Sequence, residues 1–131
     1  MMRLHQMPVN KQQTARILIV EDEPVIAITL EEVLIDAGFA IAGVAGKLDK
    51  ALALVESGGC DAAIVDANLA GVSASPVAIS LAARGLPYIV MSGYSPDQMR
   101  GEFPGAFFLS KPCRPELLLE TLNSMLLENQ N

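Results

Sequence analysis

Histidine is almost missing from this chain: His5 is the one imidazole in 131 residues, and it lies in a polar opening stretch. No serine can borrow a histidine base, which excludes a Ser-His hydrolase triad. Cysteine is nearly as scarce. Cys60 and Cys113 stand far apart without a C-x-x-C partner, so neither a redox motif nor a zinc framework is supported, and two reduced thiols are the simple reading. Basic charge is also in short supply, with 9 Lys and Arg against 15 Asp and Glu and a formal net charge of −6. Phosphate backbones demand clustered Lys and Arg, so nucleic-acid binding is not expected. No uninterrupted apolar run reaches the length of a membrane span, and the opening MMRLHQMPVNKQQTA has no apolar h-region. A cytoplasmic chain without membrane association is expected.

Apolar residues are what the chain has in quantity, 51% of the total, enough to furnish the core of one domain without disulfide or metal support. Residues 1–14 are polar and aperiodic and read as a flexible tail, leaving 15–131 as the domain. RILIV (16–20) predicts a first strand. After EDEP, the segment VIAITLEEVLIDAG sets Ile26, Leu30, Val33, Leu34 and Ala37 at helical spacing, with Pro24 near the first turn and Gly38 as the stop. FAIAGVA (39–45), LDKALALVESGG (48–59) and AAIV (62–65) predict strand, helix and strand. SPVAISLAARG (75–85) predicts a third helix with Ser75 as N-cap and Pro76 in the first helical position, and LPYIVMS (86–92) a fourth strand. SPDQMRGEF (95–103) predicts a short fourth helix limited by Gly101 and Pro104. AFFLS (106–110) and RPELLLETLNSMLLEN (114–129) complete the pattern as a fifth strand and a closing helix. GVAGK (43–47) is too short between its glycines for a phosphate loop and is followed by Leu48 where Ser or Thr would bind Mg²⁺.

Five strands alternating with five helices predict a parallel sheet, because a parallel connection needs a crossover and a helix supplies it. The strands are almost continuously apolar, as burial on both faces requires. Ligands of such open sheets bind beyond the carboxyl ends of the strands. There the sequence places Glu21 and Asp22 after strand one, Asp66 after strand three, Ser92 after strand four and Lys111 after strand five. Three carboxylates at close quarters repel one another unless a cation neutralises them, and an all-oxygen set suits a hard divalent ion, Mg²⁺ above all. A carboxylate can also be a nucleophile toward phosphorus. Lys111 offers a compact positive charge to a phosphoryl oxygen, and the Ser92 hydroxyl a hydrogen bond.

The stretches ILIVEDEP, AAIVDANLAG, IVMSGYS and FFLSKPC resemble the receiver domain of two-component response regulators, the CheY-like family, over roughly residues 15–128. That resemblance implies a flavodoxin-like, doubly wound α/β fold with a five-stranded parallel sheet in order 2-1-3-4-5 and five helices. It implies Asp66 as phosphoacceptor, with Asp22 and Glu21 holding Mg²⁺ together with Asp66 and the backbone carbonyl of Asn68. Lys111, before what is often a cis bond to Pro112, would hold the acyl phosphate, and Ser92 would move toward it. Phe108 stands at the family's aromatic switch position, although an aromatic in a strand also suits a core. Tyr94 would shield the phosphoryl group or contact a partner, or serve as a plain loop aromatic. The acidic pair is Glu-Asp where Asp-Asp is commoner, the loop after Asp66 lacks the frequent Met-Pro, and Phe108 replaces a frequent Tyr.

The expectation is a stand-alone receiver, phosphorylated on Asp66 by a histidine kinase or phosphotransfer protein and acting by contact with a downstream protein or a second copy of itself. It is not an enzyme acting on an external substrate: an Asp-nucleophile phosphatase would need an acid two residues on, where Asn68 stands. The alternative is a receiver-fold binding module that works without phosphorylation. Leu118, Leu119, Leu122, Met125 and Leu126 of the closing helix fit either a buried stripe or one with an exposed edge for dimerisation.

Overall fold

The computed structural model describes residues 14–94, 97 and 101–129. Among the described residues seven strands and four helices follow in the order β1 (Arg16–Val20), α1 (Pro24–Asp36), β2 (Ala40–Ala45), α2 (Leu48–Glu56), β3 (Ala62–Asp66), β4 (Asn68–Leu69), β5 (Val72–Ser73), α3 (Ser75–Ala83), β6 (Tyr88–Ser92), β7 (Phe107–Ser110) and α4 (Pro115–Asn129). The predicted short helix over 95–103 lies mostly outside the described residues, as does almost all of the predicted tail.

β2, β1, β3, β6 and β7 form one sheet in that order, every neighbouring pair parallel. With the tiny antiparallel ribbon of β4 and β5 set aside, this is the predicted 2-1-3-4-5 order, and the fold is flavodoxin-like. Strand alternation sorts side chains into two cores. Ile17 and Ile19, Ala62 and Ile64, and Ile89 and Met91 face α1 and α4, meeting Leu30, Leu34, Leu118 and Leu122. Leu18 and Val20, Ala63 and Val65, and Tyr88 and Val90 face α2 and α3, meeting Val55, Val77 and Leu81. A sheet covered on both faces is why β3 and β6 carry only apolar or aromatic residues before their last position, and why β1, after its exposed Arg16, is apolar throughout.

Pro24 opens α1 as expected, its missing N–H costing nothing in the first turn. Gly38 closes it at φ 96, a left-handed conformation that lets Phe39 N–H return to Leu34 O at 3.0 Å. Ser75 departs from expectation. Ala74 is the N-cap of α3 and Ser75 is already helical, because its hydroxyl is donated elsewhere, to the carbonyl of Glu102 at 2.8 Å. In α4, Leu118, Leu122, Met125 and Leu126 are buried and Leu119 packs beside them, so all five predicted residues serve the core; Leu117 and Leu127 are the exposed leucines of that helix. No described helix is long and apolar enough to cross a membrane.

Tyr88 is buried in the core at the amino end of β6, and its hydroxyl donates to the Pro104 carbonyl. Burial pushes the phenol up to about 12, so it stays a donor across the accessible pH range. Tyr88→Phe keeps the ring and orphans the carbonyl, and is expected to cost about 1 kcal/mol in urea unfolding.

Candidate active site

Glu21, Asp22, Asp66, Ser92 and Lys111 sit where core strands end, and parallel pairing brings those ends to one edge. β1 runs out into Glu21, Asp22 and Glu23; β3 ends on Asp66, β6 on Ser92, and Lys111 follows β7 directly. Two ladder bonds tie the neighbours together. Lys111 N–H donates to Ser92 O at 2.9 Å, and Ala67 N–H donates to Met91 O at 3.0 Å. The Lys111–Pro112 peptide is cis.

Glu21, Asp22 and Asp66 each bring a carboxylate oxygen within 4.8 Å of the others. The Lys111 ammonium donates to Asp66 Oδ2 at 2.9 Å and lies 3.7 Å from Glu21 Oε1. Glu21 and Asp66 are both buried, while Asp22 is half-buried. The remaining oxygens take backbone donors: Glu23 N–H reaches Glu21 Oε2 at 3.1 Å, and Asn68 N–H reaches Asp66 Oδ1 at 3.1 Å. Burial, with the Asp66 charge alongside, pushes the Glu21 carboxyl up to about 7 against its ordinary 4.5, even though the Glu23 amide and Lys111 pull it down. Burial alone would lower Lys111, but its hydrogen bond to Asp66 and the charges of Asp66 and Glu21 outweigh that and hold it above its ordinary value. Among the described residues one ammonium thus pairs with two members of a cluster of three carboxylates, an excess of negative charge gathered from oxygen donors only. A small divalent cation suits this set.

The loop after Asp66 is more ordered than its sequence suggests. Asn68 pairs with Ser73 and Leu69 with Val72 around a turn at Ala70 and Gly71, whose φ values are 53 and 91. Two successive positive φ angles are those of a tight hairpin turn, which Asn-Gly or Gly-Gly would favour. Ala-Gly is a weak signal for it, so the ribbon was legible only as a loop. The Asn68 side chain stiffens the turn by accepting Gly71 N–H at 2.7 Å. Ala70 bears the strain of a left-handed conformation, so Ala70→Gly is expected to stabilise the fold by about 0.5–1 kcal/mol, read from the denaturation midpoint.

A cavity of about 300 Å³ opens over Asp66, bounded by Asp22, Asn68, Ser92, Tyr94 and Lys111. Ser92 is buried, and its Oγ accepts Tyr94 N–H at 2.9 Å. Tyr94 is 65% exposed and stands at the rim. Phe108 pairs with Val90 and packs, half-buried, against the core beneath α2 and α3. It does not line the cavity over Asp66 and has no hydroxyl to offer there.

A family model described as the response regulator receiver domain matches residues 17–123. Among solved structures, SdrG from Sphingomonas melonis Fr1 is 40% identical, with a TM-score of 0.74 over 88% of this chain and 98% of that one. PhyR from Brucella abortus is 27% identical, with a TM-score of 0.78 over 92% of this chain, which spans about half, 52%, of that response regulator. The receiver domain of the sensor histidine kinase PA1611 from Pseudomonas aeruginosa PAO1, solved with a magnesium ion in its active-site cleft, is 22% identical. It shares the fold at a TM-score of 0.76, over 86% of this chain and 98% of that one. No curated protein matches the sequence. With a family match spanning most of the chain, the parallel order of its sheet and an acidic cluster gathered at the strand ends, the chain belongs to the response regulator receiver domain family.

Proposed function

We propose that this protein is a cytoplasmic phosphorylation switch in which Asp66 accepts a phosphoryl group from a histidine kinase or a histidine phosphotransfer protein. The observation that carries this reading is the placement of Asp66: a buried carboxylate with one oxygen on the Lys111 ammonium, the other on the Asn68 amide, and an open cavity above it. A structural carboxylate with two partners would not need the space. Glu21, Asp22, Asp66 and the Asn68 carbonyl are the groups that would hold Mg²⁺, in keeping with their uncompensated charge. When bound, the ion supplies charge neutralisation for the carboxylates and the transferring phosphoryl oxygens.

In the reaction, an Asp66 oxygen attacks phosphorus in line with the phosphohistidine P–N bond. The O–P bond forms as the P–N bond breaks, and the imidazole leaves with its electron pair and takes up a proton. Lys111 moves its ammonium from the carboxylate to a phosphoryl oxygen, and the Ser92 hydroxyl turns to donate to another. Little bond-making chemistry is asked of the protein beyond this positioning. The carboxylate charge of −1 is replaced by a phosphoryl group of about −2, and Lys111 and Ser92 accommodate the added charge of about one by shifting their loops. The shift favours one of two conformations and is read by a partner protein, with a coupling of about 1–3 kcal/mol.

Phe108 supports a second reading, a binding module that works without phosphorylation, since a core-packed aromatic lacks the hydroxyl that would register the switch. One experiment separates the two. The protein is incubated with acetyl phosphate and Mg²⁺ and its intact mass measured. A single added phosphoryl group, absent when EDTA replaces Mg²⁺, is expected; no added mass at any donor concentration would leave the second reading in place.

A further inference from the structure

The ribbon after Asp66 is fastened at its far end to a remote part of the chain. Ser73 donates its hydroxyl to Glu102 Oε1 at 3.1 Å, Ser75 donates its hydroxyl to the Glu102 carbonyl at 2.8 Å, and Ser75 N–H donates to Ser73 Oγ at 3.1 Å. Helix capping does not require this arrangement, since α3 takes no side-chain cap and Glu102 lies 27 and 29 residues from the two serines. Ser73 is the register partner of Asn68, and Asn68 N–H holds Asp66. At the base of the ribbon Ala74 N–H donates to Ala67 O at 2.9 Å. Beyond the clasp, Phe103 is buried in the core and Pro104 O accepts the Tyr88 hydroxyl. The chain then runs through β7 to Lys111, which returns to Asp66. Residues 102–111 are therefore held to the same aspartate from both ends.

We infer that Glu102 is a positioning residue on a second signalling route: the β4–β5 ribbon and its two serines transmit the state of Asp66 to residues 102–104, separately from the Ser92 and Lys111 loops. The inference rests on Asp66 being the phosphoacceptor. A phosphoryl group on Asp66 displaces the carboxylate oxygen that Asn68 N–H holds. A two-residue ribbon closed by paired bonds cannot absorb that movement internally, so its Ser73 end moves with it. Glu102 then follows or lets go, which shifts the segment leading into β7. A demonstrated coupling between the two ends is the physical warrant such a route requires.

The test uses amide hydrogen exchange on the full chain, with and without acetyl phosphate and Mg²⁺, for wild type, Glu102→Ala and Glu102→Gln, with intact mass measured on the same samples. Wild type is expected to change exchange at 68–75 and at the amides of Glu102 and Phe103 on phosphorylation, Pro104 having none. In Glu102→Ala, phosphoryl incorporation and the response at 68–73 persist, while the response at 102–103 falls about threefold or more. Glu102→Gln, whose side-chain oxygen still accepts from Ser73, retains it. An undiminished response at 102–103 in Glu102→Ala, or none there in phosphorylated wild type, overturns the inference. Should wild type take up no phosphoryl group, the phosphoacceptor reading fails by itself. The route is then judged by a double-mutant cycle of Asp66→Ala and Glu102→Ala in urea unfolding. Non-additivity of about threefold or more in the unfolding equilibrium supports the coupling, and additivity ends it.

Discussion

Asp66→Asn is expected to abolish the phosphoryl group that acetyl phosphate and Mg²⁺ add to the wild-type protein, with no residual labelling above background. The amide has nearly the same shape, and its oxygen can still accept Asn68 N–H, which holds Asp66 Oδ1 at 3.1 Å in the native protein. The variant should therefore fold and keep its sheet. What it loses is the anionic oxygen that would attack phosphorus in the proposed reaction and one carboxylate of the three that gather negative charge. Intact mass gives the stoichiometry, and hydroxylamine, which cleaves acyl phosphates but not phosphoserine, identifies the bond. A hydroxylamine-labile phosphoryl group persisting in Asp66→Asn would move the acceptor to another carboxylate and remove the basis of the proposed function.

Lys111→Met comes next in size, and it acts on rate and stability together. The methionine keeps an unbranched apolar stem and deletes the charge together with the hydrogen bond to Asp66. Loss of the ammonium that would follow the transferring oxygen is expected to slow phosphoryl incorporation about 100-fold, the usual effect of removing one positioned donor. Stability falls as well, because Glu21 and Asp66 are buried and Lys111 is the cation that reaches both. Breaking a fully buried pair costs about 3–5 kcal/mol, but the lysine side chain here is 25% exposed, so about 1–2 kcal/mol is the appropriate scale. The loss should depend on pH in a definite direction. Glu21 binds its proton more tightly folded, at about 7, than at its ordinary 4.5. In EDTA its contribution to stability is therefore greatest below about 4.5 and declines as pH rises toward 7. Without the lysine the decline is steeper and extends further upward. Urea midpoints across that range measure it; a variant as stable as wild type, with the same pH profile, would show that the ammonium contributes no compensation to the cluster.

Much of the architecture was legible because two periodicities carry it. Ile17, Leu18, Ile19 and Val20 announce a doubly covered strand, and Leu30 with Leu34 a helix laid over it. The positions of Glu21, Asp22, Asp66, Ser92 and Lys111 at strand ends followed from the same pattern, since a parallel sheet necessarily collects its carboxyl ends along one edge. Other features were hidden for definable reasons. The β4–β5 ribbon rests on an alanine at φ 53, a conformation that residue type does not advertise. Ser75 looked like a helix cap because its identity and its neighbour Pro76 fit one, yet a partner 27 residues away claims its hydroxyl.

The sequence by itself determined the class of the fold, the order of its elements and which chemical groups stand at the strand ends, because these depend on local patterning and on the short reach of each connection. Only the tertiary structure decided that Lys111 lies 2.9 Å from Asp66 and 3.7 Å from Glu21, that Phe108 belongs to the core face, and that Glu102 grips the ribbon beyond the aspartate. Those are distances between segments far apart in the chain. They are set by how two cores pack on opposite faces of one sheet, and no residue's neighbours in sequence encode them.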